Sequence, residues 1–297
     1  MQELDPLFLS LTFLLASIPV GGFAYGFSAT ANPLLLVRYT PRQVSPILNF
    51  VEIFQNMFNL FYNYKRVKID KGAVSFALSG LPGIVGGSVL GGYFLSLSFS
   101  GSSLKLVVYL TLLPLILMQA YGLRKPVELS NWRKFGSLIV FPVGVLYGIS
   151  TISGPPLAIL INNQGLSKDH FKFAIALLRT AESLTAFLVY LKLGIFSSYV
   201  IRYAALTSPA IVSGMLIGMG LSRLVSLKED FRRACMSFDA YITSYGLSNS
   251  LASVSGVGVI PSLFPMLLTM VIDTLLLIRY IRVQRPRLIR VTEEDQR

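Results

Sequence analysis

Apolar runs of about 20 residues recur along this chain, and they constrain its fold more than any other feature, because such a run wound as a helix matches the hydrocarbon thickness of a bilayer. They fall at 6–38, 44–63, 73–97, 102–122, 135–163, 168–193, 197–224, 231–251 and 257–282. Only 13% of the 297 residues are charged and 53% are hydrophobic. A soluble domain carries about 25% charged residues, so water could not wet this surface. The composition predicts an all-α integral membrane protein in the plasma membrane, with the lipid bilayer as its solvent. A single cysteine, Cys235, cannot form an internal disulfide. A net charge of +12 would suggest nucleic acid in a soluble protein. Here the cations sit at the ends of apolar segments, the pattern of positive-inside topology, and no nucleic-acid partner is expected. Met1–Asp5 holds Glu3 and Asp5 but no Lys or Arg, unlike the start of a secretory signal.

Two of the segments are broken in the middle. Small and polar residues interrupt 6–38 from Gly21 to Pro33, and 135–163 from Tyr147 to Pro156. Glycines and prolines there disfavour a straight helix, and broken backbone at membrane depth is tolerated only inside protein or along a cavity. The breaks also match each other: at an offset of 122, Tyr25, Gly26, Ser28 and Pro33 fall on Tyr147, Gly148, Ser150 and Pro155. At an offset of 127, Lys65 meets Lys192, and Pro82, Ile84, Val85, Gly87 and Gly91 meet Pro209, Ile211, Val212, Gly214 and Gly218. Tyr121 and Gly122 answer Tyr245 and Gly246. The pattern predicts two copies of one four-segment unit, plus a ninth helix.

Charge then predicts how the copies are oriented. If all nine segments crossed, the strongest basic clusters would divide evenly between the two sides. If the broken segments instead enter and leave on one side as re-entrant hairpins, the clusters at 65–71, 124–134, 168–172, 223–233 and 279–290 all lie inside. The outer loops, 95–103 and 247–258, are then almost uncharged, at the cost of Arg38 and Arg42 outside. The predicted organisation is two inverted repeats, each a hairpin plus three spanning helices. Residues 1–122 form the first repeat, 123–134 a cytoplasmic loop and 135–251 the second repeat. A last transmembrane helix covers 257–282, and a short cytoplasmic tail covers 283–297. The N-terminus is placed outside and the C-terminus in the cytoplasm. Inverted repeats with discontinuous helices belong to secondary transporters, whose sites lie near the membrane midplane. The small-residue face Gly83, Gly87 and Gly91 suits either internal packing or a homodimer contact.

The polar residues inside these segments are the candidates for chemistry. Asn49, Glu52, Asn56, Asn59 and Asn63, with Gln55 alongside, share one face of 44–63. Arg179, Thr180, Glu182 and Ser183 lie near the centre of 168–193, where the repeat offset pairs Glu52 with Arg179 and Gln55 with Glu182. An ionised side chain at this depth faces either a partner or a water-filled cavity. One reading is a structural Glu52–Arg179 ion pair. The other is an anion site between the hairpin tips, where half-helix N-termini and turn N–H groups form a positive concavity. In that site Ser28, Thr30, Asn32, Ser150, Thr151, Ser153 and Asn56 add hydroxyl and amide groups. Arg179 supplies a forked donor for a small anionic substrate, while Glu52 or Glu182 couples a proton to transport. A rival is a cation- or proton-coupled carrier in which the two glutamates bind the ion and Arg179 only tethers them.

Enzymes and pumps find less support in the residues. Gly26-x-Ser28 and Gly148-x-Ser150 have the spacing of intramembrane serine proteases, but no base lies nearby, and the sole histidine, His170, falls in a basic loop. No Cys/His cluster suits a metal, and no glycine-rich stretch carries a P-loop lysine, so no metal or other cofactor is expected. Asp239 and Asp273 are accounted for equally well by pairing or by solvated helix ends.

The duplicated glycine-rich breaks, the Ser153 to Pro156 run and the Leu81 to Gly87 helix resemble the TauE/SafE family, the sulfite exporters also called 4-toluene sulfonate uptake permeases. The resemblance covers about residues 15–250. Its second motif, Gly148 to Pro156, is the closer match. In the first, Phe27 to Pro33 replaces the usual glycine-rich run. The resemblance implies a carrier, and an exporter, of small sulfur-containing anions such as sulfite, thiosulfate or sulfoacetate, working by alternating access.

Overall fold

Residues this apolar and this poor in turn signals can satisfy their backbone in lipid only as helices or closed barrels. The computed structural model describes residues 4–23, 26–66, 71–97, 101–121, 132–161, 168–224, 228–256 and 262–286, and among these every regular element is helical. The first half contributes α1 (Pro6–Phe23), α2 (Phe27–Arg38), α3 (Pro41–Arg66), α4 (Lys71–Ser96) and α5 (Gly101–Ala120). The second contributes α6 (Trp132–Ser150), α7 (Gly154–Ile161), α8 (Lys168–Lys192), α9 (Ser198–Leu224) and α10 (Lys228–Ser255). A final helix, α11 (Phe264–Arg279), runs on into a π-helical turn at Tyr280–Gln284.

Each broken segment is thus two helices, and the first break is narrower than the residues suggest. Rather than spanning Gly21 to Pro33, it lies between Phe23 and Phe27, and Pro33 sits inside α2. Gly21 serves packing, since a Cβ there would collide with the Met215 carbonyl of α9. The second break is Thr151–Ser153. Thr151 has φ +60°, a left-handed conformation that a β-branched side chain adopts only under constraint. Its N–H reaches the Tyr147 carbonyl at 2.6 Å and its hydroxyl the Ser150 carbonyl at 2.6 Å, which fix the bend.

The first pair of short helices doubles back. Asp5, just before α1, pairs with Arg38 at 3.4 Å and donates its backbone N–H to the Tyr39 hydroxyl oxygen at 2.9 Å, both at the end of α2. Arg38 also lies 5.0 Å from the Phe8 ring, and Arg42 donates to the Leu95 carbonyl at 2.7 Å. The two cations that stood apart in the charge pattern are therefore both engaged. In the second half, Trp132 at the start of α6 and Ile161 at the end of α7 share one buried cluster with Phe76 of α4. The Trp132 ring stacks on Phe76 with centroids 4.5 Å apart.

The halves pack through each other. α4 lies along α6 and α1 along α9, while α3 meets α8 and α5 meets α10. Exchanging the halves maps each of these pairs onto another pair or onto itself. The α4–α6 seam is backbone on backbone: a Cβ on Gly83, Gly87 or Gly91 would strike the carbonyls of Ser137, Phe141 or Val145. The small-residue face is therefore used within the chain.

Five helical stretches are long and apolar enough to cross a membrane: Val74–Ser96, Gly101–Ala120, His170–Lys192, Ser198–Leu224 and Phe264–Gln284. With 26 and 28 residues, α3 and α10 are long enough. Their inward polar residues, Asn49, Glu52 and Asn56 on α3 and Asp239, Thr243 and Ser244 on α10, lower their hydropathy. The chain is an all-helical, multi-pass membrane protein.

Candidate functional site

The two breaks bring their ends together at the centre of the bundle. A Cβ built on Gly154 would lie 3.9 Å from the Cα of Gly26. Asn32 of α2 donates its side-chain amide to the carbonyl of Ser150 at the end of α6, so the tips touch directly. Helix α2 starts here, and every residue of its first turn carries an N–H. The first turn of α7 holds Pro155 and Pro156, which have none to offer.

All ten residues singled out from the sequence gather at or beside these tips, and nine of them are buried. Ser28, Thr30 and Asn32 lie on α2; Ser150, Thr151 and Ser153 flank the second break; Glu52 and Asn56 come from α3 and Glu182 from α8. The tenth, Arg179 of α8, keeps 15% of its side chain accessible, against 0% for Glu52. The polar face of α3 is shorter than its sequence suggests. Asn49, Glu52 and Asn56 point inward and Gln55 is half-buried, but Asn59 is exposed because the helix has left the bundle by that turn. The side chain of Asn63 lies outside the described residues.

The polar contacts converge on Glu52. Arg179 Nη2 donates to its Oε1 at 3.0 Å. The Tyr147 hydroxyl donates to its Oε2 at 3.1 Å, while Asn49 Nδ2 donates to the same tyrosine oxygen at 3.2 Å. Ser28, in the first turn of α2, faces Glu52 with its hydroxyl and its backbone N–H. Around this centre, Asn49 also donates to the Ser183 carbonyl at 3.1 Å, Asn56 to the Arg179 carbonyl at 3.3 Å, and the Ser45 hydroxyl to the Ile149 carbonyl at 2.9 Å. Ser153 donates its hydroxyl to Glu182 Oε1, leaving Oε2 with no partner among the described residues, and Arg179 Nε is left likewise. Buried polar atoms are rarely left in this condition, and such orphans mark places where a proton or a ligand belongs.

Three features do not stand out in the sequence. Tyr147 is conspicuous there only as a repeat marker, yet it ties Asn49 to Glu52. Asp239, buried on α10, accepts from the Thr30 hydroxyl at 3.2 Å and so meets the tip of α2. The available signal was an acid amid an apolar run. Arg233, which the charge pattern places in a basic cluster on the inner side, is buried. It pairs with Asp273 of α11 at 2.7 Å and donates to Ser237 at 2.7 Å, anchoring the last helix. His170 is half-buried within α8.

A family model described as sulfite exporter TauE/SafE matches residues 9–246, which include both breaks and the ten site residues. No curated protein and no solved structure matches the chain.

Proposed function

Because this chain belongs to the TauE/SafE sulfite exporter family, a family of membrane transporters, we propose that it is a secondary carrier that exports a small sulfur-containing anion, sulfite or an organosulfonate such as sulfoacetate. The anion binds between the two hairpin tips. The observation that carries the reading is the convergence of Arg179, Tyr147 and the first turn of α2 on one buried point, where a carboxylate already sits. A guanidinium and helix N–H groups in low dielectric bind oxyanions strongly. Arg179 is the forked donor to the substrate, with Ser28, Thr30, Asn32, Ser150, Thr151, Ser153 and Asn56 shaping the site.

Alternating access follows from the arrangement of the halves. The ends of α1–α2 meet at one end of the bundle, with Arg42 and Leu95; those of α6–α7 gather around Phe76, at the opposite end of α4. On this reading the halves are inverted repeats, with seven spans and two re-entrant hairpins. Rocking of one half against the other exposes the tips to each side in turn. Glu52 and Glu182 are the coupling candidates, and Glu182 has the carboxylate oxygen open to a proton.

One observation favours a second reading. The Glu52–Arg179 pair at 3.0 Å has the geometry of a tether, as a carrier using the glutamates to bind a cation requires. Thermal unfolding of the purified chain with added sulfite or sulfoacetate separates the two, because a ligand that binds the folded state raises its melting temperature. The anion reading predicts a rise that is lost in both Arg179→Gln and Arg179→Lys, since lysine lacks the planar fork. The cation reading predicts no rise with either anion, and flux that Glu52→Gln abolishes while Arg179→Lys largely preserves it.

A further inference from the structure

Glu52 occupies what has the construction of an oxyanion site. Its carboxylate is fully buried, accepts from Arg179 of α8 and Tyr147 of α6, and is faced by the hydroxyl and N–H of Ser28 in the first turn of α2. Guanidinium, phenol and helix N-terminal N–H are the donors by which proteins hold sulfonate, sulfite or carboxylate oxygens. The four donors come from three elements, and the anion they hold comes from a fourth, α3. Glu52 can therefore leave without dismantling the site. Arg179 retains an unpartnered Nε and an accessible edge beside the enclosed carboxylate, so a second oxyanion has a place to approach. Pro155 and Pro156 carry no N–H, so the first turn of α7 has fewer donors to offer than that of α2.

We infer that Glu52 is a built-in counter-anion, a tethered stand-in that fills the substrate site of the unloaded carrier and is displaced by the transported oxyanion. The inference rests on the reading of Arg179 as the substrate's ligand. Its physical basis is charge conservation in a buried site. An exporter must return empty, and an empty site would leave the Arg179 guanidinium without an anion at membrane depth, which is strongly unfavourable. Exchanging one anion for another keeps the site's charge balanced in both halves of the cycle. The charged and titratable groups facing Glu52 are Arg179, Glu182 and Tyr190 of α8 and Tyr147 of α6. Arg179 is the one cation among them, so the displaced carboxylate and the incoming anion compete for a single partner.

Two variants of the full chain test this. Glu52→Gln removes the competitor. It is expected to bind sulfite about tenfold or more tightly, since a self-occupied site is competent only for the fraction in which Glu52 is away. In proteoliposomes its ratio of sulfite exchange to net efflux should rise, because the empty return now carries an unpaired cation. Glu52→Ala leaves a vacated site, and its lost thermal stability should be restored by acetate or sulfite and not by chloride. The inference is overturned if Glu52→Gln binds sulfite, sulfate and acetate no more tightly than the native chain, or if no oxyanion restores Glu52→Ala. If acetate restores Glu52→Ala while the native chain neither binds nor moves sulfite, the counter-anion stands and the sulfur-anion reading falls.

Discussion

Tyr147 shows how much a single hydroxyl can settle in a buried polar site. Its oxygen accepts from Asn49 and its proton goes to Glu52, so one side chain joins the polar face of α3 to the end of α6. Tyr147→Phe removes both contacts without opening a cavity. It should lower stability by about 1–3 kcal/mol, the usual cost of leaving buried partners unsatisfied. Thermal unfolding in detergent checks this, and an unchanged melting temperature would mean that water replaces the hydroxyl. Much at this scale is legible in the sequence. Glu52, Arg179 and Glu182 stand out because ionisable residues inside apolar runs must find partners, and the internal repeat by itself aligns the first two. Tyr147 and Asp239 do not stand out as site residues, because periodicity reports which face is buried and not which atom on a distant helix it meets. The partner of Arg233 is hidden for a related reason: charge pattern places its cluster on one side of the membrane but does not show that Asp273 lies 2.7 Å away.

At the scale of elements, the α4–α6 seam fixes where the second hairpin stands. Gly87 faces the Phe141 carbonyl and Gly144, so an added methyl must push the two backbones apart. Its neighbour Gly86 meets only the edge of the Phe141 ring, at an ordinary 3.7 Å. Gly87→Ala should therefore cost about 1–3 kcal/mol, as overpacking does, while Gly86→Ala stays near neutral. Comparison of their melting temperatures checks this, and equal effects would mean a seam loose enough to admit the methyl. Helix boundaries are mostly legible to within a few residues, since apolar runs and flanking charges mark them. The extent of the first break is not. Gly21 looks like a helix breaker but is a close-approach residue against α9, and only the packed partner distinguishes the two roles.

The whole molecule is a pair of interlocked halves whose broken helices meet tip to tip in the interior, with α11 clamped outside them by the buried Arg233–Asp273 pair. Asn32 of one tip bonds Ser150 of the other, so an anion bound between them touches both halves at once. A difference in its contacts between the two orientations would bias their equilibrium, as transport requires. The central claim is that this meeting point carries a sulfur-containing anion on Arg179. The most direct test is uptake of labelled sulfite and sulfoacetate by proteoliposomes, with a dicarboxylate as control and Arg179→Gln beside the native chain. The account predicts saturable sulfur-anion flux in the native chain, lost in Arg179→Gln. No flux of either anion through folded, inserted protein, or equal flux through both chains, would contradict it.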